Sequence, residues 1–121
     1  MLRLMPLLTI VTSAALPQAE QTDALLQTLS RELAELVGKP EMYVMTSLAP
    51  RARMTFAGTF EPACYVEIKN IGVFSPAQTA KISAAVTSRL SAALGVPADR
   101  IYIELADVEA HLWGYDGGTF A

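Results

Sequence analysis

The sequence predicts an α+β domain made of two β-α-β units in tandem. Two amphipathic helical segments are each followed by a Gly-x-Pro sequence, at 38–40 and 95–97, and short β-branched runs flank both helices. A shift of 57 residues lays the two halves over each other and places Leu33 on Leu90. Right-handed crossovers then give one four-stranded sheet with both helices on one face.

The first unit is read as strand, helix and strand. Residues 7–11 form an apolar run rich in β-branched residues, which is typical of a buried strand. From about Ala19 to Val37, leucines recur at spacings of four, four and three, and this helical stripe ends at Gly38. A strand from Tyr43 to Leu48 follows, and residues 54–60 fit either a short strand or one arm of a hairpin.

The second unit repeats this order with clearer boundary signals. Residues 64–69 alternate between two faces, as a strand does. Ser75 and Gln78 have the spacing of a capping box, and Pro76 occupies the first helical position, so a helix begins there. Residues 101–105 alternate again and predict the last strand of the sheet.

Composition limits the classes of function. The chain has 121 residues and a mass of 13.0 kDa, which fits a single domain. Hydrophobic residues make up 52% and charged residues 17%, against about 25% charged in ordinary soluble domains, so disorder is excluded. The net charge of -3 and the lack of a basic patch disfavour nucleic-acid binding. So much apolar surface on a small chain predicts contacts between subunits, and we expect an oligomer.

The ligand-forming residues are few. A single Cys64 excludes an internal disulfide and a four-cysteine zinc site, and a single His111 excludes two-histidine metal motifs. We therefore expect neither a metal nor another cofactor. No apolar run reaches 18 residues, so the sequence predicts no membrane span.

The first twenty residues allow two interpretations. Arg3, the following apolar stretch and small residues near Ala15 have the order of a secretory signal. Cleavage there would remove a strand that the second unit keeps, so we favour the strand and expect a cytoplasmic protein without a convincing signal peptide, with non-classical secretion left open. Residues 1–5 are then either a leader or the result of a start codon assigned too early, and the domain spans 6–121. Translation from Met5, followed by methionine removal, leaves an N-terminal proline.

Short motifs stand in order along the two units. They are Met-Pro at 5–6, Gly-Lys-Pro at 38–40 with Tyr43, Met-Thr-Phe-Ala-Gly at 54–58, Asn-Ile-Gly at 70–72, Asp-Arg-Ile-Tyr at 99–102 and Gly-Thr-Phe-Ala at 118–121. Together they resemble the macrophage migration inhibitory factor and D-dopachrome tautomerase family. The resemblance implies a homotrimer with active sites between adjacent subunits. It also implies keto–enol tautomerase activity on phenylpyruvate-like α-keto acids, with dopachrome-like compounds as further candidates.

Pro6 is the expected catalytic base. A free N-terminal proline is a secondary amine, and burial near Leu7 and Ile71 beside the cation of Lys39 disfavours its protonated form. Such a base can remove a proton from the carbon next to a ketone. With the leader attached, the Pro6 nitrogen is an amide, and we predict no activity through it.

The resemblance also implies a substrate pocket. Lys39 binds the substrate carboxylate with help from the backbone at Ile71. Tyr102 of a neighbouring subunit bounds the aromatic pocket, and Tyr43 and Tyr115 are further walls. Each residue also has an ordinary structural explanation: a lysine at a helix end, for example, complements the helix dipole.

The sequence departs from animal members at two places. The Cys-x-x-Cys pair after the Glu-Pro dipeptide is absent, so a disulfide oxidoreductase role is unsupported. Glu104 replaces an asparagine two residues after Tyr102, and a carboxylate facing the pocket would repel an anionic substrate. Two alternatives remain open: a non-enzymatic binding protein of the same fold, either vestigial or a cytokine-like receptor ligand, and a decarboxylase or dehalogenase of the wider N-terminal-proline group.

Overall fold

One mixed four-stranded sheet forms the centre of the molecule. The structure is a computed structural model that describes residues 6–121, so the predicted leader at 1–5 lies outside the described residues. The strands are β1 Pro6–Thr12, β2 Met45–Ala49, β3 Cys64–Ile71 and β4 Ile101–Val108. Their order is β2-β1-β3-β4; β1 is parallel to β2, β3 is parallel to β4, and the two pairs meet along the antiparallel β1 and β3.

Two helices cover one face of this sheet, which confirms the predicted α+β architecture. They are α1, Ala19–Val37, and α2, Pro76–Leu94, and both bounds agree with the leucine spacing and the capping signals. Ser75 and Gln78 form the predicted capping box. Apolar side chains that are at most 1% exposed fill the space between helices and sheet: Leu8, Ile10, Leu29, Leu33, Val66, Ile68, Ile82 and Leu90.

The internal repeat is present in the backbone. A shift of 57 residues carries the bounds of α1 onto those of α2, and Gly38 and Gly95 both end their helices with φ 70°. The ion pair between Glu32 and Arg89 joins equivalent positions of the two helices across this repeat. The hydrogen bond from Arg89 holds the pKa of Glu32 below its ordinary value.

The structure refines two boundaries. The strand predicted from Tyr43 begins at Met45, because a 3₁₀ turn at Glu41–Tyr43 precedes it, with the Val44 amide donating to the Glu41 carbonyl at 2.9 Å. Residues 54–60 take the hairpin form, in which Phe56 and Thr59 make a single antiparallel bridge.

The turn of this short hairpin is strained. Ala57 and Gly58 have φ values of 54° and 76°, which a two-residue turn of this kind demands of both central positions. Alanine in the left-handed region costs about 1–2 kcal/mol, whereas asparagine tolerates it. We expect Ala57→Asn to raise the free energy of unfolding by about 1 kcal/mol, measured by denaturant titration at fixed protein concentration. Ala57→Val should lower the free energy of unfolding. A lower stability of the asparagine variant would contradict the argument.

Candidate active site

A cleft opens where β1 begins. Its volume is about 390 Å³, and Pro6 and Leu7 lie in its wall. Pro6 is fully buried and Leu7 half-buried. The other lining residues come from the segment before β2 and from the C-terminal segment: Met42, Tyr43, Val44, Met45, Trp113, Gly114 and Tyr115. Three predicted site residues besides Leu7 thus meet in one place: Pro6, Tyr43 and Tyr115.

Lys39 reaches the residue that faces Pro6 across the sheet. Pro6 pairs with Asn70 in the antiparallel ladder, and Lys39 Nζ donates to Asn70 Oδ1 at 3.0 Å. The same ammonium donates to the carbonyl oxygen of Ile71 at 2.5 Å. Partners in an antiparallel ladder have Cα atoms only about 4.5–5.5 Å apart. The cation therefore lies near the start of β1, with the backbone of Ile71 as its direct partner.

The internal repeat shows how unusual Lys39 is. Its equivalent 57 positions later is Val96, the middle residue of the second Gly-x-Pro sequence, which is fully buried in the core. A lysine that only complemented its helix dipole would not need Asn70 and Ile71 as acceptors. The first unit thus places a cation where the second places a core side chain.

Two tyrosine rings of the cleft wall pack against each other and against Phe120 behind them. The rings of Tyr43 and Tyr115 meet edge to face at 5.4 Å, and Phe120 stacks on Tyr115 at 5.3 Å. Tyr115 is held by a two-stranded hairpin, β5 (Gly114–Tyr115) with β6 (Gly118–Thr119). The wall is therefore apolar and aromatic, which suits a planar ring.

Tyr102 does not line this cleft in the single chain. It pairs with Tyr65 on β3, which pairs with Val11 on β1, so Tyr102 lies two strands away from Pro6 and a further five residues, about 16 Å, along the strand direction. Tyr102 is 65% exposed and lines a separate cleft of about 330 Å³, where its ring lies 4.8 Å from that of Phe56.

Glu104 lies on the same sheet face as Tyr102, opposite the helices. The Tyr65 hydroxyl lies 2.7 Å from Glu104 Oε1 and 2.9 Å from Glu67 Oε2. These hydrogen bonds, that of Glu104 foremost, raise the pKa of Tyr65 well above its usual value. The Tyr65 hydroxyl thus joins the two carboxylates on the sheet face that also carries Tyr102.

Two residues in or beside the cleft were not predicted as site residues from the sequence. Asn70 was noted only as part of a motif, although a polar residue on the buried face of a strand signals a specific partner. Trp113 was not predicted at all. The signal for its position was the Asp-Gly pair at 116–117, a hairpin turn with φ values of 51° and 82°.

Other kinds of site find no support in the described part of the chain. Across residues 6–121, His, Cys, Asp and Glu side chains form no group of three that could hold a metal ion. Neither described helix is long and apolar enough to cross a membrane. Cys64 is buried, which raises the pKa of its thiol, and it contacts the Thr12 hydroxyl at 3.3 Å.

The tandem β-α-β units on one sheet, with a buried proline opening the first strand, define a protein of the tautomerase fold. The family model for macrophage migration inhibitory factor matches residues 5–121, and the chain belongs to that family. Tautomerase activity and cytokine-like function are known in it.

Similar proteins span nearly the whole domain. Macrophage migration inhibitory factor of Rattus norvegicus is 33% identical over 117 residues, which are 97% of this chain and 100% of the rat protein. The crystal structure of a homologue from Prochlorococcus marinus is 50% identical, with a TM-score of 0.89 over 95% of this chain and 99% of the other. The Toxoplasma gondii protein is 30% identical, with a TM-score of 0.88 over 94% and 99% of the two chains.

Proposed function

We propose that this protein is a keto–enol tautomerase of phenylpyruvate-like α-keto acids, with the nitrogen of Pro6 as general base. The observation that carries the proposal is the convergence of Pro6, the cation of Lys39 and an aromatic wall at one end of the sheet. An α-keto acid with an aryl group needs these three features: a base, a positive charge and an apolar surface for a ring.

The proton transfer follows from these positions. The lone pair on the Pro6 nitrogen takes a proton from the carbon next to the ketone, and the electrons of that C–H bond form a C=C bond. The carbonyl oxygen takes a proton from water, which gives the enol, and the amine returns its proton to solvent. Burial of Pro6 favours this role because an apolar surrounding disfavours the charged amine.

Lys39 supplies the anchor for the carboxylate. Its ammonium lies against Asn70, directly across from Pro6, so a bound carboxylate there leaves the adjacent ketone close to the base. Tyr43 and Tyr115 then border the aryl group, and Leu7 closes the apolar side of the cleft.

The site is completed by a neighbouring subunit in a homotrimer. Tyr102 lies too far from Pro6 to serve its own cleft, and its exposed ring is available to the cleft of another copy. Exposed apolar side chains favour such a contact: Met42 and Met45 line the cleft, and Phe60 belongs to the 54–60 hairpin whose Phe56 packs on Tyr102. Glu104 enters with Tyr102 and disfavours substrates that carry a second negative charge at the far end.

The N-terminus decides whether this chemistry operates. The base exists only when Pro6 is the first residue, and the family match begins at the residue before it. The first experiment is an intact mass of the protein from its native source, combined with exchange of the phenylpyruvate methylene protons in deuterated water. We expect a mass that begins at Pro6 and catalysed exchange. A mass that retains Met1, without exchange, would contradict the enzyme and favour a binding protein, cytokine-like or vestigial.

A further inference from the structure

Arg100 organises the segment between β2 and β3. Its guanidinium donates four hydrogen bonds to backbone carbonyl oxygens of this segment, at distances between 2.8 and 3.4 Å. The acceptors are Phe56, Thr59, Glu61 and Pro62. A planar fork with five N–H donors can serve acceptors spread in this way, whereas the single ammonium of lysine cannot.

The same guanidinium lies on an aromatic ring. The Arg100 carbon Cζ is 5.3 Å from the centroid of the Phe56 ring, within the range of a cation–π contact. Phe56 in turn packs on Tyr102, with ring centroids 4.8 Å apart and planes inclined by 46°. Arg100, Phe56 and Tyr102 therefore form a continuous series of contacts from the residue before β4 to the exposed ring.

The segment has little regular structure to hold Phe56 by itself. Its bridge joins Phe56 to Thr59 alone, and its turn contains Ala57 at φ 54°. Tyr102, at 65% exposure, has an open side away from Phe56. The direction of its ring therefore depends on Phe56, and the place of Phe56 depends on the carbonyl bonds of Arg100.

We propose that Arg100 is a positioning residue for substrate affinity, which fixes the Tyr102 ring through Phe56 so that it can border the aryl group of the substrate in a neighbouring subunit. This inference rests on the proposed function. The repeat adds a further point, since Arg100 is the equivalent of Tyr43. In the first unit this position lines the cleft, and in the second unit it supports the Tyr102 ring.

The test compares an aryl substrate with an alkyl one in Arg100→Lys, which keeps the charge. Phenylpyruvate and α-ketoisocaproate share the carboxylate and ketone, and proton exchange next to the ketone measures both. We expect KM for phenylpyruvate to rise about 2- to 10-fold, which is the usual contribution of one aromatic contact to binding. The value of kcat and the KM for α-ketoisocaproate should not change. Phe56→Leu should do the same. The matched control is Arg53→Lys, since Arg53 covers the Phe60 ring of the same segment at 5.8 Å and should change neither KM.

A double-mutant cycle with Tyr102→Leu separates the two proposals. Tyr102→Leu alone should raise the phenylpyruvate KM, and adding Arg100→Lys should raise it no further, because both act through one ring. If Tyr102→Leu raises KM while Arg100→Lys does not, the positioning role is overturned and the tautomerase proposal stands. An equal rise for both substrates in Arg100→Lys would also overturn it. No effect of Tyr102→Leu would remove Tyr102 from the site, and the role of Arg100 with it.

Discussion

Replacing Pro6 by glycine in the chain that begins at residue 6 is expected to slow enolisation of phenylpyruvate by about 100-fold or more. Glycine keeps a terminal amine but loses the ring that holds the nitrogen in one orientation about the N–Cα bond and fills the buried position at the start of β1. The primary amine then has no fixed direction towards the cleft. The measurement is the rate of proton exchange next to the ketone in deuterated water.

A second variant isolates the nitrogen from the packing. An alanine added before Pro6 leaves the pyrrolidine ring in place and turns its nitrogen into an amide, which is not basic. We expect a loss at least as large as that of Pro6→Gly, with an unchanged circular dichroism spectrum. Exchange within about two-fold of the unmodified rate in either variant would remove Pro6 as the base, since positioned bases contribute about 100-fold or more.

Replacing Lys39 by alanine is expected to raise KM for phenylpyruvate about 10- to 100-fold, with a smaller change in kcat. A hydrogen bond to a charged group contributes about 1.5–3 kcal/mol, and here it would hold the carboxylate before and during proton transfer alike. Steady-state exchange at several substrate concentrations gives both constants.

Stability and substrate binding need separate controls in this variant. Lys39→Ala leaves the Asn70 side chain, only 5% exposed, without its donor, which costs about 1–3 kcal/mol of folding stability. The methyl ester of phenylpyruvate has no carboxylate, so its KM should not change. Lys69→Ala removes a charge from the exposed side of β3 beside Asn70 and should leave both substrates unaffected. An equal loss for acid and ester would rule out Lys39 as the carboxylate anchor.

Local patterns determined the fold in this protein because each element carries its own signals. The leucine spacing defined α1, the Ser75 and Gln78 pair defined the start of α2, and a Gly-x-Pro sequence defined the end of each helix. The 57-residue repeat then indicated two β-α-β units in tandem, and right-handed crossovers placed both helices on one face of a single four-stranded sheet. The observed helix bounds agree with the predicted ones because the signals for each helix are local.

The start of β2 was predicted two residues early for an equally local reason. Tyr43 has strand propensity, but Pro40 introduces a 3₁₀ turn that includes it. Propensity describes single residues, whereas the turn depends on a hydrogen bond between Glu41 and Val44.

The sequence by itself determined the architecture, the repeat and the chemical character of Pro6 and Lys39. Only the tertiary structure decided which groups meet: that Asn70 joins Lys39 to the start of β1, that Trp113 and the hairpin bring Tyr115 to the same cleft, and that Arg100 supports Phe56 against Tyr102. The physical reason is distance along the chain. Periodicity and capping act within a few residues, whereas these contacts join residues separated by 31 positions in the case of Lys39 and Asn70 and 44 in the case of Arg100 and Phe56.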